Sequence, residues 1–194
     1  MSSTPSTTRD KLLAAVVETV AEHGLAGCKM ERVALQAGVA VGTLYRYFPN
    51  KRALINAAYV TYKAASIARL SPASVSDLPY REAFEQLWID YARYLLDERK
   101  TLSFLAQCAA SELLSPASRA LGSELMEAAR MFFRKGTATQ LLLDLPVSLQ
   151  LAEFTGVAQA VADDDTGVTT VSDEYLQTAA KMVWRGLACE QNEP

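Results

Sequence analysis

Apolar residues recur at helical spacing along nearly the whole chain. Leu12, Leu13, Val16, Val20 and Ala21 fall on one face of a first segment, the spacing of an amphipathic helix. Thr7, with Asp10 three residues on, makes a capping-box-like start in which Asp replaces the usual Glu. Gly24 supplies a C-terminal stop, and His23 in the last turn suits the helix dipole. A short apolar helix with Met30, Val33, Ala34 and Ala37 then runs into Gly38-Val39. Gly38 can take the positive φ of a tight helix-to-helix turn, and Val39 can cap the small core below. The next helix, about residues 41 to 48, is expected to turn Leu44 and Phe48 inward.

After Pro49-Asn50 comes a long helix, about 51 to 69, with two distinct faces. Leu54, Ala57, Ala58, Thr61, Ala64, Ala65 and Ala68 make a small-residue stripe, and Ile55, Tyr59, Tyr62 and Ser66 a larger one. Two apolar-leaning faces touch two bodies, so this helix is expected to join a head to a body. Ser71 to Pro79 reads as a loop. The pattern then predicts helices over about 80–98, 100–113, 116–142, 146–162 and 172–189. The first of these carries Phe84, Leu87, Trp88, Tyr91 and Leu95 at i, i+3, i+4, i+7 spacing. The third carries Leu121, Leu125, Met126, Met131, Phe132 and Phe133, with Gly122 and Gly136 as weak points. The last two flank the polar loop Asp163-Asp164-Asp165-Thr166-Gly167, which reads as solvated rather than metal-binding. The fold class is all-α, with about nine helices.

Composition supports this. Half of the 194 residues are apolar, enough for a sizeable core, while Gly and Pro are sparse. The net charge of −3 changes meaning when divided along the chain. Residues 1 to 63 hold eight Lys and Arg against four Asp and Glu, a balance of +4. Residues 64 to 194 hold eleven against eighteen, a balance of −7. Only the N-terminal end attracts phosphate. Cys28, Cys108 and Cys189 are too scattered, and one histidine too few, for a structural disulfide or a zinc site. Residues 1–8 read as a flexible polar tail, not a signal peptide, and no apolar run reaches membrane-spanning length. A cytoplasmic location without membrane contact is expected.

The basic end carries the densest chemistry. The segment 41 to 48 presents Thr43, Tyr45, Arg46 and Tyr47, groups suited to phosphates and base edges. Val33-Ala34, Ala37-Gly38-Val39, Gly42-Thr43-Leu44-Tyr45, Tyr47-Phe48, Lys51 and Leu54 together resemble the helix-turn-helix of TetR-family transcriptional repressors. The resemblance covers roughly residues 8 to 60 and departs from the family twice. Ala40 stands where Ser or Thr usually caps the recognition helix, and Lys29 where a Thr commonly opens the preceding one. Arg46 is the candidate for base readout, since a guanidinium grips guanine bidentately. Val41 and Gly42 are placed to approach the groove, with Val41 suited to a thymine methyl. Thr43, Tyr45, Tyr47 and Lys51 are expected to set register on phosphates, and Lys29 to share the anchoring that Ala40 cannot provide.

The resemblance implies a three-helix DNA-binding domain over 9–52 and an antiparallel helical ligand-binding and dimerisation domain over 53–194. In that family the body holds a pocket for a small inducer. Tyr59 and Trp88 are the preferred pocket residues, with Tyr62, Phe84 and Tyr91 behind them, although ordinary core packing accommodates the same set. Asp90, Glu112 or Glu153, facing the pocket, would favour a cationic aromatic effector over a neutral apolar one. Leu149, Ala152, Glu153, Gly156 and Ala160, with Leu176, Ala179, Ala180, Val183 and Leu187, make stripes on the last two helices suited to a homodimer.

An enzyme finds no support here: there is no phosphate-binding glycine loop, no nucleophile elbow and no second histidine. Neither cofactor nor metal is implied. The expected function is a homodimeric repressor on a near-palindromic operator of double-stranded DNA, released by a small-molecule effector. Control of efflux or detoxification genes is a further expectation, because the aromatic body and the ending Met182 to Ala188 resemble regulators of multidrug efflux in that family. The alternative is a helical small-molecule-binding protein with a vestigial or non-specific DNA-binding head.

Overall fold

The computed structural model describes residues 7–163 and 171–189, without the side chains of Glu124 and Leu125. Its helices are α1 (Thr8–Gly27), α2 (Met30–Gln36), α3 (Val41–Tyr47), α4 (Lys51–Leu70), α5 (Tyr80–Asp97), α6 (Arg99–Ala109), α7 (Pro116–Ala138), α8 (Val147–Asp163) and α9 (Asp173–Leu187). A 3-10 turn over Pro72–Val75 separates α4 from α5. Among the described residues the only β pairing is an isolated antiparallel bridge, Leu142 to Ala188. The protein is all-α, as the periodicity predicts. No described helix is long and apolar enough to cross a membrane. The tail before Thr7 and the loop residues Asp164 to Gly167 lie outside the described residues. Asp163 itself ends α8 and accepts from Gln159 Nε2 at 3.0 and 3.1 Å.

The chain divides into two compact units, residues 1–66 with 98–122, and residues 67–97 with 123–194. In the first, Thr7 and Asp10 form the reciprocal capping box: Asp10 N–H donates to Thr7 Oγ1 at 3.1 Å and Thr7 N–H to Asp10 Oδ2 at 3.2 Å. Leu12, Leu13, Val16 and Val20 of α1 are buried with Val33, Ala34, Leu44, Leu54 and Ile55. Two faces of α1 are therefore used, since α6 packs along it as well as α2. Gly24 does not end the helix outright. It takes φ +68° and kinks α1, and a further turn runs on to Gly27.

α6 is shorter than its pattern. It stops at Ala109, because Asn56 of α4 captures the connector that follows. Asn56 Nδ2 donates to Leu113 O at 2.8 Å, and its Oδ1 accepts from Ser115 N–H and Ser118 Oγ, both at 2.8 Å.

The second unit is built on α5, against which α8 and α9 pack. Phe84 has no exposed surface and lies edge-on to Phe133, Phe154 and Trp184 at centroid distances of 6.0, 5.3 and 5.2 Å. Each such pair contributes about 0.5–1.5 kcal/mol beyond area burial. Gly136 is no weak point: a Cβ there would stand 2.2 Å from the Tyr80 hydroxyl, so the close approach of that ring requires glycine. α7 ends at Ala138 rather than 142. Gln140 adopts φ +58°, and the chain turns to form the bridge with Ala188.

Candidate nucleic-acid interface

α2 and α3 are joined by a turn in which Gly38 adopts φ +67°. Gly38 N–H bonds Leu35 O at 3.0 Å and Val39 N–H bonds Ala34 O at 3.0 Å, closing the C-terminus of α2. Leu44 is fully buried and Phe48 5% exposed, so two apolar anchors on one side of α3 fix its rotation in the head. The opposite side is left to solvent. Val41, Gly42, Tyr45, Arg46 and Tyr47 are exposed and Thr43 half-buried. The Arg46 guanidinium lies 5.8 Å from the Tyr47 ring centre, a contact that orients it without consuming its donors.

The caps follow the two departures in the sequence. Ala40 occupies the N-cap of α3 with extended backbone (φ −64°, ψ 144°) and no side-chain bond. Lys29 occupies the N-cap of α2, also without one, and its ammonium-bearing chain is exposed. Both helix starts keep free amide N–H groups that favour an anion.

Lys51 differs from its expected surroundings. It is half-buried, and its Nζ donates to Leu25 O at 2.6 Å, tying the start of α4 to the segment after the α1 kink. The other polar group of the same peptide is taken too, as Leu25 N–H donates to Gln107 Oε1 of α6 at 2.9 Å. Lys51 thus has a structural partner that sequence spacing does not show, 26 positions away. Arg9 was missed altogether. Its guanidinium lies 5.9 Å from the ring of Phe48, which places a cation at the C-terminal end of α3. The capping box holding the first turn of α1 is the sequence signal that could have found it. Arg32 is turned back to Gly27 O at 3.2 Å.

The five expected pocket residues are placed as follows. Tyr59 and Tyr62 belong to the first unit: Tyr59 is buried, and Tyr62 is half-buried, edge-on to Phe104 at 6.5 Å. Phe84, Trp88 and Tyr91 belong to the second. Trp88 is fully buried with its indole N–H bound to Phe154 O at 3.0 Å, and Tyr91 packs 6.1 Å from Phe154. Phe84 and Trp88 are spent on core packing, because aromatic size and helical period serve a core and a pocket equally. Of the acidic residues, Asp90 accepts from Gln86 at 2.9 Å, while Glu112 and Glu153 are exposed. Among the described residues no three metal-ligating side chains converge.

The expected interface stripes divide. Leu149, Ala152, Glu153, Gly156 and Ala160 of α8 are all exposed. Leu176, Ala179, Ala180, Val183 and Leu187 of α9 are buried within the second unit, so they are core and not an outward face. The outward apolar residues of α9 are Tyr175 and Met182, 40% and 57% exposed. They line a shallow depression of about 340 Å³ with Val157, Ala160 and Val161.

Residues 12–58 match the family model described as bacterial regulatory proteins, tetR family. That match spans α2 to α3 and their supporting helices. Among solved structures, a TetR family transcription regulator from Marinobacter aquaeolei VT8 is similar with TM-score 0.77 and 24% identity, covering 93% of this chain and 95% of that one. A TetR-family transcriptional regulator from Haemophilus influenzae RD matches with TM-score 0.74 and 21% identity over 94% of this chain and all of that one. The ketosteroid transcriptional regulator KstR2 of Mycobacterium tuberculosis matches with TM-score 0.76 and 16% identity over 95% and 97%. At these identities the structures establish a shared fold, while the helix-turn-helix carries the family match. Residues 12–58 are thus similar to bacterial regulatory proteins of the tetR family, and the chain as a whole shares its fold with solved transcription regulators.

Proposed function

We propose that the protein is a homodimeric, ligand-responsive repressor of the cytoplasm that binds a near-palindromic operator. The observation that carries this is the two-sidedness of α3: Leu44 and Phe48 are locked inward, while Val41, Gly42, Tyr45, Arg46 and Tyr47 face solvent. Arg46 reads a base edge, and Thr43, Tyr45, Tyr47 and Lys29 set register on phosphates. Arg9 adds a phosphate contact beside the end of α3. Lys51 holds the head together through Leu25 and offers its remaining N–H groups to the backbone.

One short recognition helix covers few base pairs, so a two-fold dimer with two half-sites supplies the affinity. The exposed α8 face at Leu149, Ala152, Gly156 and Ala160, with Tyr175 and Met182 of α9, supports dimerisation through the last two helices. Effector binding in the helical body favours a state whose heads are wrongly spaced for successive major grooves. To move the population from mostly bound to mostly free, effector must prefer that state by about 10⁴-fold, or about 5.5 kcal/mol. Efflux or detoxification genes are the proposed targets.

The test is selection of duplexes from a random library by the full-length protein, followed by gel shift with competitor DNA at moderate salt. A two-half-site sequence bound specifically is the expected result. Recovery of no preferred sequence would sink the repressor reading and favour a binding protein with a non-specific head.

A further inference from the structure

Tyr59, Tyr62, Lys63 and Ser66 follow one another at i, i+3, i+4 and i+7 and so share one face of α4. Tyr59 and Ser66 are buried, and Tyr62 and Lys63 half-buried. Several polar groups along this helix are satisfied. Lys51 binds Leu25 O, Asn56 uses both ends of its amide, and Ser66 Oγ donates to Tyr62 O at 2.9 Å. Two donors are not. Among the described residues, neither the Tyr59 hydroxyl nor the Lys63 ammonium has a hydrogen-bond or ion-pair partner.

The side chains of Tyr59 and Lys63 come alongside the same point on α7. A Cβ built on Gly122 would stand 3.2 Å from Tyr59 Oη and 3.7 Å from Lys63 Cε. The glycine lets the α7 backbone come alongside the Tyr59 hydroxyl and the Lys63 stem, where a Cβ would crowd the phenol oxygen. The electrostatics differ along the stripe. Burial raises the Tyr62 phenol, and Glu98, Glu18 and Asp10 raise it further. At Lys63 burial pushes the ammonium below the usual lysine range, and among the described residues no carboxylate offsets it. A half-buried cation with no counter-charge among the described residues gives up part of its hydration without an ion pair in exchange. Met or Leu would fill the same volume without that cost. A lysine beside a free phenol hydroxyl is chemistry for receiving an anion, one that accepts from both.

We propose that Tyr59 Oη and Lys63 Nζ form the anion-binding end of the effector site, and that the effector is a small organic acid, a carboxylate on an apolar or aromatic body. This rests on the effector-responsive reading above and names its chemistry. It also replaces the cationic compound that the acidic residues of the body suggested. Asp90 is already hydrogen-bonded and Glu112 and Glu153 face solvent, whereas an amine at Lys63 meets a like charge.

The experiment is calorimetry and thermal unfolding of the full-length protein with benzoate and octanoate, against benzyl alcohol, octanol and octylamine. The acids should bind and raise the unfolding temperature, and the isosteric alcohols should bind about tenfold or more weakly, as loss of a charge-assisted partner implies. Octylamine should not bind. Lys63→Met should erase the preference for acid over alcohol, Lys63→Arg should retain it, and Tyr59→Phe should weaken acid binding several-fold. Lys63→Met should unfold no lower than the parent, because it removes an uncompensated charge. Failure of both acids to bind, equal binding of acid and alcohol, or acid binding unchanged in Lys63→Met would overturn the proposal. So would a clear fall in the stability of Lys63→Met, which would mean the ammonium holds the fold. Operator gel shifts without effector keep the two readings apart. Loss of the DNA complex condemns the repressor while acid binding still stands or falls by calorimetry.

Discussion

Arg46 and Lys51 are both cations of the same short segment, and their surroundings give them different work. Arg46 is exposed on α3, rests against the Tyr47 ring and has its donors free for a base edge. Arg46→Ala should therefore cost about 1–3 kcal/mol of sequence discrimination per half-site, with unfolding unchanged. Competition gel shifts with base-substituted operators measure this, and intact discrimination would move base readout to another residue. Lys51 is half-buried on Leu25 O. Its removal leaves a carbonyl short of a charge-assisted donor, so Lys51→Met should lower stability by roughly 1–3 kcal/mol in urea titration. It should also weaken specific and non-specific DNA alike. A variant as stable as the parent would show that the Leu25 bond contributes nothing in solution. The exposed role was legible because Arg46 lies between Leu44 and Phe48, whose burial sets which way it points. The buried role was not, because Leu25 lies 26 positions away and its partner atom is a backbone carbonyl that carries no residue identity.

The helices themselves were legible where a face is defined by local spacing, and their ends where the ending chemistry is local. The capping box at Thr7 and the turn at Gly38 are of that kind: each depends on residues within five positions. The ends of α6 and α7 depend on long-range capture, by Asn56 in one case and by the bridge to Ala188 in the other. No pattern within those helices reveals either. The turn offers a clean test, because a Cβ at Gly38 would meet nothing within 4 Å. Gly38→Ala should thus cost only the left-handed backbone penalty, about 1–2 kcal/mol, and Gly38→Asn less. A loss of several kcal/mol would point to contacts that the turn does not have. At Ala40 the opposite change applies. The extended N-cap backbone already suits a hydroxyl cap, so Ala40→Ser should raise stability by about 0.5–2 kcal/mol in urea titration. An unchanged midpoint would mean the recognition helix is held by Leu44 and Phe48 alone.

For the molecule as a whole, the stripes on the last two helices show what one chain's sequence leaves undecided. Small residues at helical spacing pack closely against something, but the pattern does not say whether that is the same chain or a second copy. On α9 the stripe from Leu176 to Leu187 is covered by the protomer's own core, while on α8 the stripe from Leu149 to Ala160 remains exposed. If the exposed set is the dimer seam, charge placed there should separate subunits without damaging either one. Leu149 and Met182 are 53% and 57% exposed, so Leu149→Glu with Met182→Glu removes little of the protomer's own packing. Burying four such carboxylates in a two-fold seam is strongly unfavourable, since each would be desolvated beside a like charge. The double variant should sediment as a monomer, unfold as a protomer with its helical signal intact, and lose tight operator binding while keeping weak binding to a single half-site. A variant that stays dimeric would place the interface elsewhere. A monomer that still bound the full operator as tightly as the parent would remove the need for two-fold symmetry in its DNA recognition.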